Sequence, residues 1–348
     1  MAPASSAGGR RPPLALLSLA CSLAGCWGGG STPTGQIVYV SERGGAPVVH
    51  VVRADGTDDR ALRVCPSGGF SGPADPRGQA ALVICAIGDV EADHQEQLRL
   101  VPLAGGEPRD LGPPARMLRN PAWAPDGAFL VFESDAASFR DLYRIARDGT
   151  GLERLTDNEQ GNFEPSVDPS GRRIAFVSSR DLDAELYIAG SDGTGQIRRT
   201  AEPGDDMKPV WSPNGKELAY IAMRGATQQV QLIDVETGAS RPLMADPGGL
   251  HQDVSWSADG EVLAITLLPA PSRLEVWTVT RAGEVLAKFG EGAKASYPSW
   301  SPDGMWLALS WEDEQGANVL IATRDGRTRK RLTAGRGPDW LPRWQRAP

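Results

Sequence analysis

The 348-residue chain holds 36 Lys and Arg against 44 Asp and Glu, a formal net charge of −8. With no basic stripe along it, this acidity argues against nucleic acid as a partner, and a soluble acidic surface is enough to explain it. No long amphipathic helix pattern appears beyond the N-terminus.

The first 25 residues differ in kind from the rest. Arg10 and Arg11 precede an apolar core, Leu14 to Ala24, that is too short to span a membrane and ends in small residues. Residues 1–25 are expected to be a secretory signal; their removal takes away two arginines and no acid, moving the net charge from −8 to −10. The ending Leu23-Ala24-Gly25-Cys26 is similar to a bacterial lipoprotein signal, which implies acylation of Cys26. Residues 26–35, with Gly28-Gly29-Gly30-Ser31, then read as the lipidated cysteine and a flexible tether. Each buried methylene contributes about 0.8 kcal/mol, so two or three acyl chains anchor firmly. Trp27 in place of Asp favours the outer membrane. The alternative is an ordinary cleaved signal with a free thiol.

From residue 36 onward the chain repeats. Pro121-Ala-Trp-Ala-Pro-Asp-Gly127, Pro165-Ser-Val-Asp-Pro-Ser-Gly171, Pro209-Val-Trp-Ser-Pro-Asn-Gly215, Val254-Ser-Trp-Ser-Ala-Asp-Gly260 and Pro298-Ser-Trp-Ser-Pro-Asp-Gly304 follow one another every 44 or 45 residues. A degenerate copy, Gly72-Pro-Ala-Asp-Pro-Arg-Gly78, precedes them. After each come two short apolar runs, such as Phe129–Phe132 and Leu142–Ile145, an Asp-Gly turn such as Asp148-Gly149, and a strand ending in Arg154-Leu-Thr156 or a variant. Short apolar runs bounded by Gly and Pro read as buried strands, and Asp-Gly between strands signals a hairpin with a type I′ turn. Four strands per unit of this period make a propeller blade. Trp123, Trp211, Trp256, Trp300 and Trp344, with Ala74 and Val167 at the same position, are expected to pack between blades.

The first unit holds only three strands, from Gln36 to beyond Gly56; its missing inner strand is supplied by Leu341–Trp344. The expected fold is therefore all-β: a propeller over residues 36–348, seven four-stranded blades with 3+1 closure by the C-terminal strand, six being the alternative. That region leaves no room for a second domain. Cys65 and Cys85 fall in adjacent blades, either bridged or as two buried thiols; an extracytoplasmic location permits the bridge.

The run Pro-x-Trp-Ser-Pro-Asp-Gly-x-x-Leu-Ala-Phe, followed by Asp-Leu-Tyr-x-Ile-x-x-Asp-Gly and Arg-Leu-Thr, resembles the TolB-type propeller repeat, most closely in residues 121–156, 165–200 and 298–333. The resemblance implies a protein-interaction scaffold in the cell envelope. It departs from TolB in lacking room for an α/β domain, in counting seven blades rather than six, and in carrying a lipoprotein signal.

Catalytic constellations are hard to find. His50, His94 and His251 form no pair at metal-ligand spacing, there is no Gly-x-Ser-x-Gly elbow, and no phosphate or calcium loop is present. No catalytic residue, metal or cofactor is expected. The candidate site comes from comparing repeats: the residues just before Pro-x-Trp, namely Asn120, Glu164, Lys208, Asp253 and Tyr297, are expected to ring one mouth of the central channel. They suit an envelope protein or peptide; mutual pairing in a hydrated channel wall is the plainer reading. The runner-up function is a carbohydrate-binding or polysaccharide-lyase-like propeller, with Trp277, Trp306 and Trp311 as its platform. A lipid-anchored, extracytoplasmic monomer is expected.

Overall fold

Short continuous apolar runs broken by Gly, Pro and Asp leave little material for helices. In a computed structural model, which describes residues 32–62, 64–88, 94–245, 248–335 and 337–347, every regular element is a strand. The signal segment, Cys26 and most of the tether lie outside the described residues.

The strands form seven antiparallel sets of four. In blades 2 to 7 the inner strand comes first in sequence: Gly69–Ala74, Leu118–Trp123, Asn162–Val167, Asp206–Trp211, Leu250–Trp256 and Lys294–Trp300. Blade 1 joins the two ends of the propeller. Gln36–Ser41, Val48–Arg53 and Arg60–Leu62 supply its outer three strands, and Asp339–Gln345 its inner one, with Ile37 opposite Trp344 and Val40 opposite Trp340. The expected 3+1 closure is therefore present. Each inner strand neighbours the next, and Lys294–Trp300 returns to Asp339–Gln345, so the ring is closed. A lone parallel bridge, Gln228 to Leu250, links blades 5 and 6.

The core is divided among the blade interfaces. Ile37, Val52, Trp306, Val319 and Trp344 pack together between blades 7 and 1, and Trp256 packs with Ile221, Val230 and Leu263 between blades 5 and 6. The tryptophans do pack between blades, and three of them also bond there. The indole N–H groups of Trp211, Trp256 and Trp300 donate to the carbonyls of Ser166, Val210 and Ser255 in the preceding inner strands, at 3.1–3.3 Å. A buried indole N–H needs such a partner. These three tryptophans thus serve as both packing and fastener, whereas Trp123, whose buried indole N–H has no hydrogen-bond partner among the described residues, serves as packing alone.

The turns refine the sequence reading. A type I′ turn needs positive φ at both central residues, yet Asp148 is not among the residues with positive φ; only Gly149 is, at 86°. Ala146 N–H bonds to Thr150 O across a three-residue loop, and Asp148 Oδ1 accepts from the Thr150 N–H and hydroxyl at 3.0 and 2.6 Å. The glycine supplies the left-handed residue of a bulged three-residue hairpin, and the aspartate folds back as a cap. The Arg-Leu-Thr ending is structural as well: Arg154 and Thr156 both hold the buried Asp141, at 2.5 and 2.8 Å.

Cys65 and Cys85 form a disulfide with Cα atoms 5.1 Å apart. Cys65 does not lie on an outer strand, which ends at Leu62, but in the connection entering blade 2. This shortens the reach to Cys85 on the second strand of blade 2. Gly69 makes room, since a Cβ there would stand 2.5 Å from Cys65 Sγ.

Candidate functional site

The residue before each Pro-x-Trp motif lies in a bulge of the inner strand. In blade 3, Arg119 opposes Glu133 and Ala122 opposes Val131, so Asn120 and Pro121 together face one residue of the neighbouring strand. The same slip recurs between Phe163 and Ser166, Met207 and Val210, and Ser296 and Ser299. Asn120, Glu164, Lys208, Tyr297 and Leu341 all sit in the left-handed region, at φ 46–54°. Such backbone costs of order 1 kcal/mol or more for a non-glycine residue and persists only where its surroundings enforce it. Asp253 is the exception. Val254 replaces the proline, the slip falls at Gln252, and Asp253 is not left-handed.

Polar side chains reaching across blade boundaries hold these residues in place. Glu133, fully buried, accepts from the Asn120 amide at 2.7 Å, from Arg140 Nε at 2.6 Å and from the Glu164 N–H at 2.5 Å. Glu164 Oε2 accepts from the Lys208 N–H at 2.7 Å, and Lys208 Nζ donates to Gln252 O at 2.5 Å. Burial raises the Glu164 carboxyl above its ordinary range, against the pull of the Lys208 N–H. Three of the five predicted residues thus belong to one hydrogen-bonded network running from blade 3 to blade 6, built from backbone contacts and the Glu133 carboxylate rather than from ion pairs among themselves.

Asp253 and Tyr297 stand apart from that network. Both act electrostatically on Arg343, which the closing strand places among the inner strands. The equivalent positions of the other blades hold Pro73, Ala122, Ser166, Val210, Ser255 and Ser299, so Arg343 is the one charged side chain of that set. It keeps partial exposure, but its Nε is buried without a partner, and no ion pair to it is found among the described residues. Burial pulls its guanidinium down from the ordinary value, against the attraction of Asp253 and Tyr297.

Arg343 lines an open pocket of about 550 Å³ formed by blades 1, 2 and 3, with Phe70, Glu96, Arg119, Asn120 and Leu341. Arg119 is already paired with Glu96, whose carboxylate also accepts the Leu118 N–H at 2.7 Å. From Phe70, which lines it, a chain of rings runs outward: Phe70 stands 5.8 Å and Tyr297 6.2 Å from Trp340 between centroids. Phe70 and Tyr297 are exposed, at 39% and 41%. Sequence reasoning found Asn120 and Tyr297 but missed Arg343, Phe70 and Trp340. For Arg343 the signal was available, because reading the x of Pro-x-Trp across the repeats exposes a single charge.

Other candidate features do not assemble. His50 bonds Asp59 at 3.1 Å beside Tyr39, His94 faces Glu96 at 3.6 Å, and buried His251 accepts the Val230 N–H. Among the described residues no three His, Cys, Asp or Glu side chains gather as a metal-binding group. Trp277 and Trp306 are buried, and Trp311 is half-buried with its indole on Asp313, so the three offer no common platform.

Known proteins share this architecture. TolB from Acinetobacter baumannii superposes with a TM-score of 0.58 at 20% identity, covering 86% of this chain and 78% of that one. An oligogalacturonate lyase in complex with manganese gives 0.63 at 16%, covering 83% and 86%. Puromycin hydrolase gives 0.65 at 14%, covering 88% of this chain but only 54% of its own. At such identities the likeness is one of fold. No curated protein matches the chain. The family model of the TolB beta propeller domain matches residues 156–347, more than half of the sequence, and the chain belongs to that family.

Proposed function

We propose that this protein is a lipid-anchored, extracytoplasmic propeller that binds a protein or peptide of the cell envelope at the mouth of its channel and performs no chemistry itself. The observation that carries this reading is the open pocket beside exposed Phe70 and Tyr297. Clustered exposed aromatics beside a concavity mark recognition surfaces. The anchor rests on the Cys26 signal and the location on the same segment. TolB among the similar folds suits the reading; the similarity to hydrolytic and lyase propellers shows that fold alone does not choose a function.

Crosslinking in cells, with recovery of the tagged full-length protein from the envelope fraction and mass spectrometry, tests it. Repeated recovery of one envelope protein, lost with Cys26→Ser, is the expected result. Recovery of glycan fragments, or of nothing above background, would count against a protein-binding role.

A further inference from the structure

We propose that the pocket between blades 1 and 3 is a carboxylate-recognition subsite, in which Arg343 takes a peptide carboxylate and the Phe70–Trp340–Tyr297 rings take the apolar group beside it. The proposal rests on the peptide-binding reading above and names the chemistry of that site.

Electrostatics set the charge of the ligand. Four other arginines near the inner strands have an acid in contact: Arg119 with Glu96, Arg140 with Glu133, Arg224 with Asp206, Arg43 with Asp339; Arg180 is held instead by Ser178 and Asn162. Arg343 has no acid within ion-pair distance among the described residues, and Asp253 acts on it only from further away. A partly buried guanidinium left so is costly unless an anion completes it. Its planar fork matches a carboxylate in bidentate fashion. A phosphate dianion calls for more than one free cation, and the second arginine of the pocket is already neutralised by Glu96.

Geometry sets the neighbour of that charge. Phe70 lines the pocket with Pro73 and Ile84, and it leads to exposed Tyr297 through the half-buried Trp340, whose indole N–H is held by Glu42 at 3.2 Å. Aromatic anchors beside a single ionic contact are the usual build of a peptide subsite. A ligand with a carboxylate one residue away from an aromatic or aliphatic side chain meets both at once.

The test uses the full-length protein and three probes followed by ligand-observed NMR: N-acetyltryptophan, its carboxamide, and a C-terminally amidated Trp-Asp peptide. At least one acid probe is expected to bind about tenfold or more tighter than the carboxamide. That preference should vanish with Arg343→Gln and weaken with Arg343→Lys, which keeps the charge and loses the fork. Phe70→Ala should weaken acid and amide alike. Which acid binds tells a terminal peptide carboxylate from an internal aspartate. Equal binding of acid and amide, binding by neither acid, or a preference that survives in both folded Arg343 variants would overturn the proposal. Recovery of an envelope partner by a protein insensitive to Arg343 would sink this subsite while leaving the broader reading standing.

Discussion

Left-handed backbone ahead of proline is an expensive place for a side chain, and Asn120, Glu164, Lys208, Tyr297 and Leu341 all accept it. Comparison of repeats identifies four of these positions because their residue types vary where the motif around them does not. The conformation itself is not legible, since a residue before proline is ordinarily extended. What enforces it comes from other blades, such as the Glu133 carboxylate on the Glu164 N–H. Glu133→Ala should therefore destabilise the protein by about 2–4 kcal/mol by denaturant titration, leaving Arg140 and two donors without their acceptor. A loss below about 0.5 kcal/mol would contradict the role given to Glu133. Asp206 supplies a pH test. It faces Arg224 at 2.7 Å, yet burial outweighs that partner and lifts its carboxyl to about 6. An acid whose folded pKa lies above its unfolded value binds more protons when folded, so stability falls as pH rises from about 4 to about 6. Asp206→Asn should flatten that part of the melting-temperature profile; an unchanged profile would refute the assignment.

At the scale of strands and turns, much was readable because the physics is local. Short apolar runs and Asp-Gly signals depend only on neighbouring residues, and the 44-residue repeat shows them recurring, so strands such as Phe129–Ser134 and Asp141–Ala146 fall where expected. The hairpin geometry was not, because Asp148 serves by its side chain rather than by positive φ. Phe70 and Trp340 were missed for a related reason: they are far apart in sequence and meet only where blade 2 follows the closing strand. The disulfide fastens the connection between blades 1 and 2 to the second strand of blade 2. For a sequence separation of 20 residues, loop entropy makes it worth roughly 3 kcal/mol. Cys65→Ser together with Cys85→Ser should lower the unfolding free energy by about that amount, and equal stability would show that Gly69 and the packing around it hold the connection unaided.

For the whole molecule, closure is the decisive feature. The final strand brings Trp344 into the interface of blades 7 and 1, completes the sheet of blade 1 and delivers Arg343 to the pocket. Gly78 records how tightly the C-terminal residues are held, as a Cβ there would stand 2.6 Å from Arg346 O. Deleting residues 340–348 should open an edge on blade 1 and lower the melting temperature by about 10 °C or more; an unchanged value would contradict closure. The same strand thus links stability to the site, and the site is the central claim. A photo-crosslinking amino acid at Tyr297, exposed on the inner strand of blade 7 at the proposed channel mouth, compared with one at Ile197, exposed on the outer edge of blade 4, tests it most directly. Capture of one envelope protein from position 297 and not from 197 is the predicted result. Capture from 197 alone, or from neither, would contradict the claim that this propeller binds at its channel mouth.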